Sequence, residues 1–234
     1  MAKQTAIITG AAGNLGQAVV KNFLDHGLTI VATVLPHENE RVKDFENNPA
    51  FQKYEVDVTD EKAAKQFIQQ IVQKNGTIDV SALLVGGFAM GNLKETEGSQ
   101  LKQMFALNFE SAFYMAREIF AQMAIQATGG HIFLVGARPA LLPEVGKDMM
   151  AYALSKSLIF EFAKMLNAEG KKKNIITSVI VPSTLDTPQN RSAMPDANFA
   201  NWVKPEEVAE IMHFSFSEKA KVWREPIIKV YGNA

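Results

Sequence analysis

Apolar residues follow two rhythms along this chain. Short apolar and β-branched runs fall near 5–9, 29–34, 52–56, 79–86, 131–136, 175–181 and 226–231, and longer stretches with apolar residues every three or four positions separate them. The first kind reads as buried strands and the second as helices packed by one face. NLGQAVVKNFLDHG carries the helical repeat and ends in Gly27, a C-terminal stop. TDEKAAKQFIQQIVQKNG repeats the device, with Thr59 or Asp60 as N-cap, acids in the first turn and Gly76 at its end. Residues 97–127 predict one long helix, and 149–170 another with few charges for its length. The alternation predicts an α/β chain of parallel βαβ units, about seven strands with helices on both faces, in a single domain spanning 1–234. PSTLDTPQNRSAMPDANFANWVKP, from Pro182 onward, has four prolines and weak periodicity, so it predicts a long loop near 183–204 that shapes a binding site.

Composition narrows the partners. A chain of 234 residues, 47% hydrophobic, is long enough for one sizeable core. Its 24 basic and 25 acidic residues are spread evenly, which gives no electrostatic case for nucleic acid or an anionic membrane. Lys171, Lys172 and Lys173 form a dense basic patch that a helix C-terminus explains. The absence of cysteine excludes disulfides and thiolate chemistry. His26, His37, His131 and His213 lack ligand spacing, so no metal site is expected. MAKQTAIITG is too short an apolar segment for a signal peptide, and no stretch approaches 18 apolar residues, so a cytoplasmic protein is expected. The two long helices are more apolar than a solvated face needs, which predicts a homodimer or homotetramer.

After the first strand comes TGAAGNLG, with Gly10, Gly13 and Gly16 at the turn and Asn14 and Leu15 opening the helix. Glycines there let the backbone approach a pyrophosphate, whose charge lies at the positive end of the helix. In a βαβ series this is a dinucleotide signature, and it makes the expected sheet a doubly wound, Rossmann-type one. An NAD-preferring site would offer an acid at the end of the second strand, where Val34 and Leu35 stand. Arg41, in a loop that folds back, would meet a 2′-phosphate, so the cofactor reads as NADP or NAD with a lean to NADP. Asp57 and Val58 close the third strand, where the carboxylate would accept from an adenine amino group or cap a helix. Gly86 and Gly87 end the fourth strand as backbone able to run close against a ligand.

FLVGARPALL runs from a strand into a turn at Ala137-Arg138-Pro139, and MMAYALSK follows with Tyr152 and Lys156 one helical turn apart. A cation roughly 4 Å from a phenol would favour phenolate by about 4 kcal/mol at an effective dielectric of 20, equivalent to about three pKa units. The lysine is therefore expected to bring the tyrosine into working range for proton transfer.

Together these residues resemble the short-chain dehydrogenase/reductase family across nearly the whole chain: the turn from Thr9 to Gly16, Asp57-Val58, Gly86-Gly87, Asn108 in ALNFESAF, Tyr152 with Lys156, and Pro182 with Thr187. The resemblance implies Tyr152 as proton donor, Lys156 also holding the nicotinamide ribose, Asn108 anchoring a water beside the lysine, and Pro182 to Thr187 touching the carboxamide. Most members end the fifth strand in a serine that donates to the substrate carbonyl, and the matching residue here is Ala137. GGFAMGN, GARPALL and TLDTPQNRSAMPDANFANW are similar to the dihydropteridine reductase branch, which lacks that serine in the same way. That branch carries an aspartate for NADH near the Leu35 position, so its cofactor preference does not transfer.

Losing one donor to an oxyanion costs on the order of 10²–10³ in turnover. A quinonoid dihydropterin, already electron-poor, needs less polarisation, and Ala137 is tolerable for it. Phe88 would stack a flat ring, with Met90, Met194 and Trp202 as walls. Asn190 and Arg191 would bond the substrate edge or cap the loop, and Arg138 would act as a substitute donor or point outward. Two alternatives stay open: a carbonyl or 3-oxoacyl reductase, and a non-catalytic dinucleotide-binding regulator.

Overall fold

The computed structural model describes residues 4–233, and the first three residues and the last of the expected 1–234 unit lie outside the described residues. The strands are β1 (Thr5–Thr9), β2 (Thr29–Val34), β3 (Phe51–Glu55), β4 (Val80–Leu83), β5 (Gly130–Val135), β6 (Ile175–Pro182) and β7 (Ile227–Val230). The helices are α1 (Asn14–Asp25), α2 (Glu61–Asn75), α3 (Gly98–Phe105), α4 (Ser111–Ile125), α5 (Pro143–Gly146), α6 (Met150–Gly170), α7 (Pro188–Ala193) and α8 (Pro205–Phe216). All seven strands run parallel in the order β3-β2-β1-β4-β5-β6-β7.

Both faces of the sheet are covered. On one, Phe67 and Ile71 of α2, Met115 and Ile119 of α4 and Ile159 of α6 pack on Ile7, Val31 and Ile132. On the other, Val19 and Phe23 of α1 and Val208 and Met212 of α8 pack on Ile8, Ile30 and Phe133. Burial on both sides is why these strands read as continuous apolar runs. The chain winds outward from β1 to β3, then returns to β4 on the other side of β1. The crevice at the carboxyl ends of β1 and β4 is therefore the topological switch point, where open α/β sheets bind their ligands.

Three segments outside the β2–β3 connection differ from the pattern-based expectation. β4 stops at Leu83, short of residue 86, because the Thr9 hydroxyl takes the Leu84 N–H at 3.0 Å and the chain then leaves the sheet. The helix expected over 97–127 contains a π-turn at Ala106–Glu110, closed by Ser111 N–H on Ala106 O. The loop after Pro182 is partly ordered, with α7, a 3-10 turn at Phe199–Asn201 and a parallel bridge between Leu185 and Val203.

Candidate active site

The glycine turn leaves little room for side chains. Gly10 has φ +63°, which strains any residue with a Cβ, and a Cβ on Gly16 would stand 2.2 Å from Gly10 O. Gly13 is the N-cap of α1 and makes no side-chain cap bond, so the cap residue leaves the first amides of the helix at Asn14, Leu15 and Gly16 free to meet an anion. This cradle fits a dinucleotide pyrophosphate by geometry and by charge.

Residues Pro36–Phe45 form a 3-10 helix that folds back toward the glycine turn, where Arg41 Nη2 donates to Asn14 Oδ1 at 3.4 Å. A cation now borders the cradle. Glu38, the acid near the end of β2, commits Oε2 to the Leu35 N–H at 3.0 Å. Asp57 is exposed and its Oδ1 accepts from Thr59 N and Oγ1 at 2.9 and 2.6 Å. That bond orients the carboxylate, Val58 beside it is buried, and the cap of α2 is Asp60.

Beyond β4 the chain runs against the π-turn. Asn108, 1% exposed, accepts from Gly87 N at 2.9 Å through Oδ1 and donates to Gly87 O at 3.1 Å through Nδ2. A Cβ on Gly86 would lie 2.7 Å from Asn108 Oδ1 and 3.3 Å from Lys156 Nζ, so both groups face the same point. Lys156 is buried and donates to Val135 O at 2.9 Å. Ser155, which the sequence reading missed, accepts from Asn108 Nδ2 at 3.0 Å and donates to Tyr152 O at 2.8 Å. Its only signal was a hydroxyl on the buried side of an apolar helix, where serine commonly bonds back to the preceding turn.

The expected drop in the Tyr152 pKa is not what the protein has. Burial pushes the phenol up to about 12 and the Lys156 ammonium down to about 8. Desolvation disfavours both charged forms, and the spacing of the pair reveals their charges without revealing their burial. At neutral pH the phenol keeps its proton.

Ala137 sits 3% exposed at the end of β5, with extended φ −151° and ψ 144°. The Arg138 guanidinium lies 5.1 Å from the Tyr231 ring centre. Phe88, 60% exposed, meets Tyr152 edge to face with ring centres 5.1 Å apart, and Met90 and Met194 are also exposed. In the loop, Thr187 caps α7 through Asn190 N, and Asn190 Nδ2 donates to Leu185 O at 2.8 Å. Arg191 pairs with Asp186 at 2.6 and 2.8 Å and lies over Phe199, whose ring packs on Trp202. The structure thus gives Asn190 and Arg191 loop-holding bonds. Pro182 is the last residue of β6, at the carboxyl end of the sheet. Among the described residues no group of three or more His, Asp or Glu is placed to hold a metal, and no helix is long and apolar enough to cross a membrane.

Residues 4–198 match the family model described as short chain dehydrogenase. The chain is 33% identical over 208 residues to a dihydropteridine reductase of Dictyostelium discoideum, covering 87% of this chain and 84% of that one. It is 28% identical over 191 residues to an acetoacetyl-CoA reductase of Acinetobacter sp. (strain RA3849), covering 80% and 76%. The solved structure of ElxO with NADP bound superposes with TM-score 0.90 at 20% identity, covering 99% and 98%. A glycine cradle at the switch point, a half-buried tyrosine and a buried lysine beside it, and a family match over most of its length make one statement: this chain belongs to the short-chain dehydrogenase/reductase family and is an NAD(P)-dependent oxidoreductase.

Proposed function

We propose that the protein reduces a quinonoid dihydropterin, or a similarly electron-poor ring, with NADPH. The observation that carries this reading is Ala137, buried at the end of β5 where a second hydroxyl donor would stand. A substrate that needs little polarisation suits a site built on one phenol. The 33% identity to a protein named dihydropteridine reductase supports the same reading.

Gly10, Gly13, Asn14, Leu15 and Gly16 hold the pyrophosphate in this proposal, with Asp57 and Val58 at the adenine, Gly86 and Gly87 along the nucleotide, and Pro182 and Thr187 at the carboxamide. Arg41 beside Asn14 favours a 2′-phosphate, hence NADPH. A bound nicotinamide dinucleotide supplies the hydride. Tyr152, protonated at neutral pH, gives its phenolic proton to the substrate, and the Lys156 ammonium stabilises the phenolate that remains. Asn108 keeps the Gly87 segment and the tyrosine-bearing turn in register. Phe88 offers the ring face to a flat substrate, and Met194 and the Asn190 segment close the far side.

A cytoplasmic homodimer or homotetramer completes the proposal. Phe109 and Phe113 pack on Phe162, and Leu154 and Met165 are exposed on the same side of α6 as Phe162. The testing experiment follows oxidation of NADPH and of NADH with quinonoid dihydropterin, with simple ketones and with 3-oxoacyl thioesters. Dihydropterin is expected to turn over fastest with NADPH. No dihydropterin-dependent turnover with either cofactor rejects the reading, and brisk thioester reduction installs the 3-oxoacyl alternative, which the acetoacetyl-CoA reductase relative favours.

A further inference from the structure

The hydroxyl of Ser155 has one arrangement open to it. Its proton goes to Tyr152 O at 2.8 Å, and its lone pair receives Asn108 Nδ2 at 3.0 Å. Asn108 is equally constrained, because Oδ1 must face the Gly87 N–H at 2.9 Å and the two amide hydrogens then go to Gly87 O at 3.1 Å and to Ser155. Ser155 is 0% exposed and Asn108 1%, so bulk water cannot replace a lost partner. Three separate parts of the chain meet here: the segment leaving β4, the π-turn, and the turn of α6 that carries Tyr152 and Lys156.

We propose that Ser155 is a positioning residue for the reduction, holding the Tyr152–Lys156 turn in register with the Gly86–Gly87 segment and holding Asn108 Oδ1 on the side of Lys156. The inference rests on Tyr152 and Lys156 being the proton-donating pair. Removing the hydroxyl leaves that hydrogen of Asn108 with only the Met104 thioether, a weak acceptor at 3.7 Å, and cuts the link from the amide to Tyr152 O, so the amide stays on Gly87 but is held less firmly. Because Asn108 Oδ1 and Lys156 Nζ converge on the point beside Gly86, a loosened amide holds its carbonyl oxygen less steadily on the side of the ammonium. The charged lysine is then disfavoured, and the phenol shifts against the segment it works over.

The test compares wild type, Ser155→Ala, Ser155→Thr, Ser155→Cys and Tyr152→Phe in the full-length protein, with NADPH and quinonoid dihydropterin as the probe pair. Ser155→Ala is expected to lower kcat about tenfold, to change the KM for NADPH less than about twofold, and to move the alkaline limb of the kcat profile to lower pH. Threonine, which keeps the hydroxyl, is expected to restore rate and profile, and cysteine, a weaker partner, to fall between. Wild-type kcat and pH profile in a folded Ser155→Ala overturn the proposal, as does a folded Ser155→Thr that restores neither. If Ser155→Ala does not fold, full rate in Ser155→Cys overturns it instead. Full activity in Tyr152→Phe removes the reading on which the inference rests, whereas an inactive Tyr152→Phe beside an unchanged Ser155→Ala removes the serine alone.

Discussion

In the proposed reading, a single methyl at the end of β5 decides which acceptors the site serves. Ala137 is extended and buried, a backbone state that serine adopts without strain, so Ala137→Ser adds a donor without rebuilding the turn. Ketone reduction is expected to rise about tenfold or more in that variant, with dihydropterin turnover changed little. An unchanged ketone rate, measured as NADPH oxidation, removes Ala137 as the determinant. Lys156 gives a second expectation. Its pKa of about 8 makes the ammonium the main form below that pH, so the reduction rate is expected to fall as pH rises through about 8 with the loss of one proton, and Lys156→Met to give a slow profile without that limb. A wild-type rate that holds level to pH 9.5 contradicts the role of the ammonium. Tyr152 and Lys156 were legible because their relation is local, four residues on one helix. Ser155 was not, because its meaning depends on Asn108, 47 residues away.

Among the elements, the strands were the most legible, since a sheet covered on both faces leaves an unbroken apolar run for each strand. The π-turn was not, because the apolar repeat of α3 and α4 looks helical on either side of it. The 3-10 helix at Pro36–Phe45 was read as a loop, with Arg41 reaching a 2′-phosphate if the loop folded back. The Arg41 to Asn14 bond shows that it does. Arg41→Ala is accordingly expected to weaken NADPH binding about tenfold while leaving NADH within about twofold, the scale of one charge-assisted contact. Equal losses for the two cofactors, by fluorescence titration, would assign Arg41 to the turn alone. The segment after Pro182 was expected to be a long loop that shapes a binding site. Its order comes from bonds within it, from Asp186 to Arg191 and from Asn190 to Leu185, which no periodicity announces.

At the scale of the whole molecule, the outward face of α6 bears on the proposed assembly. Phe162→Glu places a charge among Phe109 and Phe113, and it is expected to yield monomers by light scattering where wild type is dimeric or larger. A wild type that is itself monomeric refutes the oligomer. His131 concerns the opposite edge of the sheet from the glycine turn. Burial, with Arg224 adding to it, pushes its pKa down to about 3, and its Nε2 lies 2.6 Å from Ser178 Oγ. The folded pKa is below the unfolded one, so the imidazole penalises the folded state only in acid. Stability should fall as pH drops below about 6.5, at up to about 1.4 kcal/mol per unit from this group, and His131→Leu should show a shallower fall in urea unfolding between pH 6.5 and 4.5. Equal slopes in the two proteins reject this assignment. His131 stands near the first residue of β5, and the last, Val135, carries the carbonyl that holds Lys156. One strand of 6 residues thus carries at one end a histidine whose burial is expected to weaken the fold in acid, and at the other the carbonyl that holds the lysine whose proton is expected to set the alkaline limb.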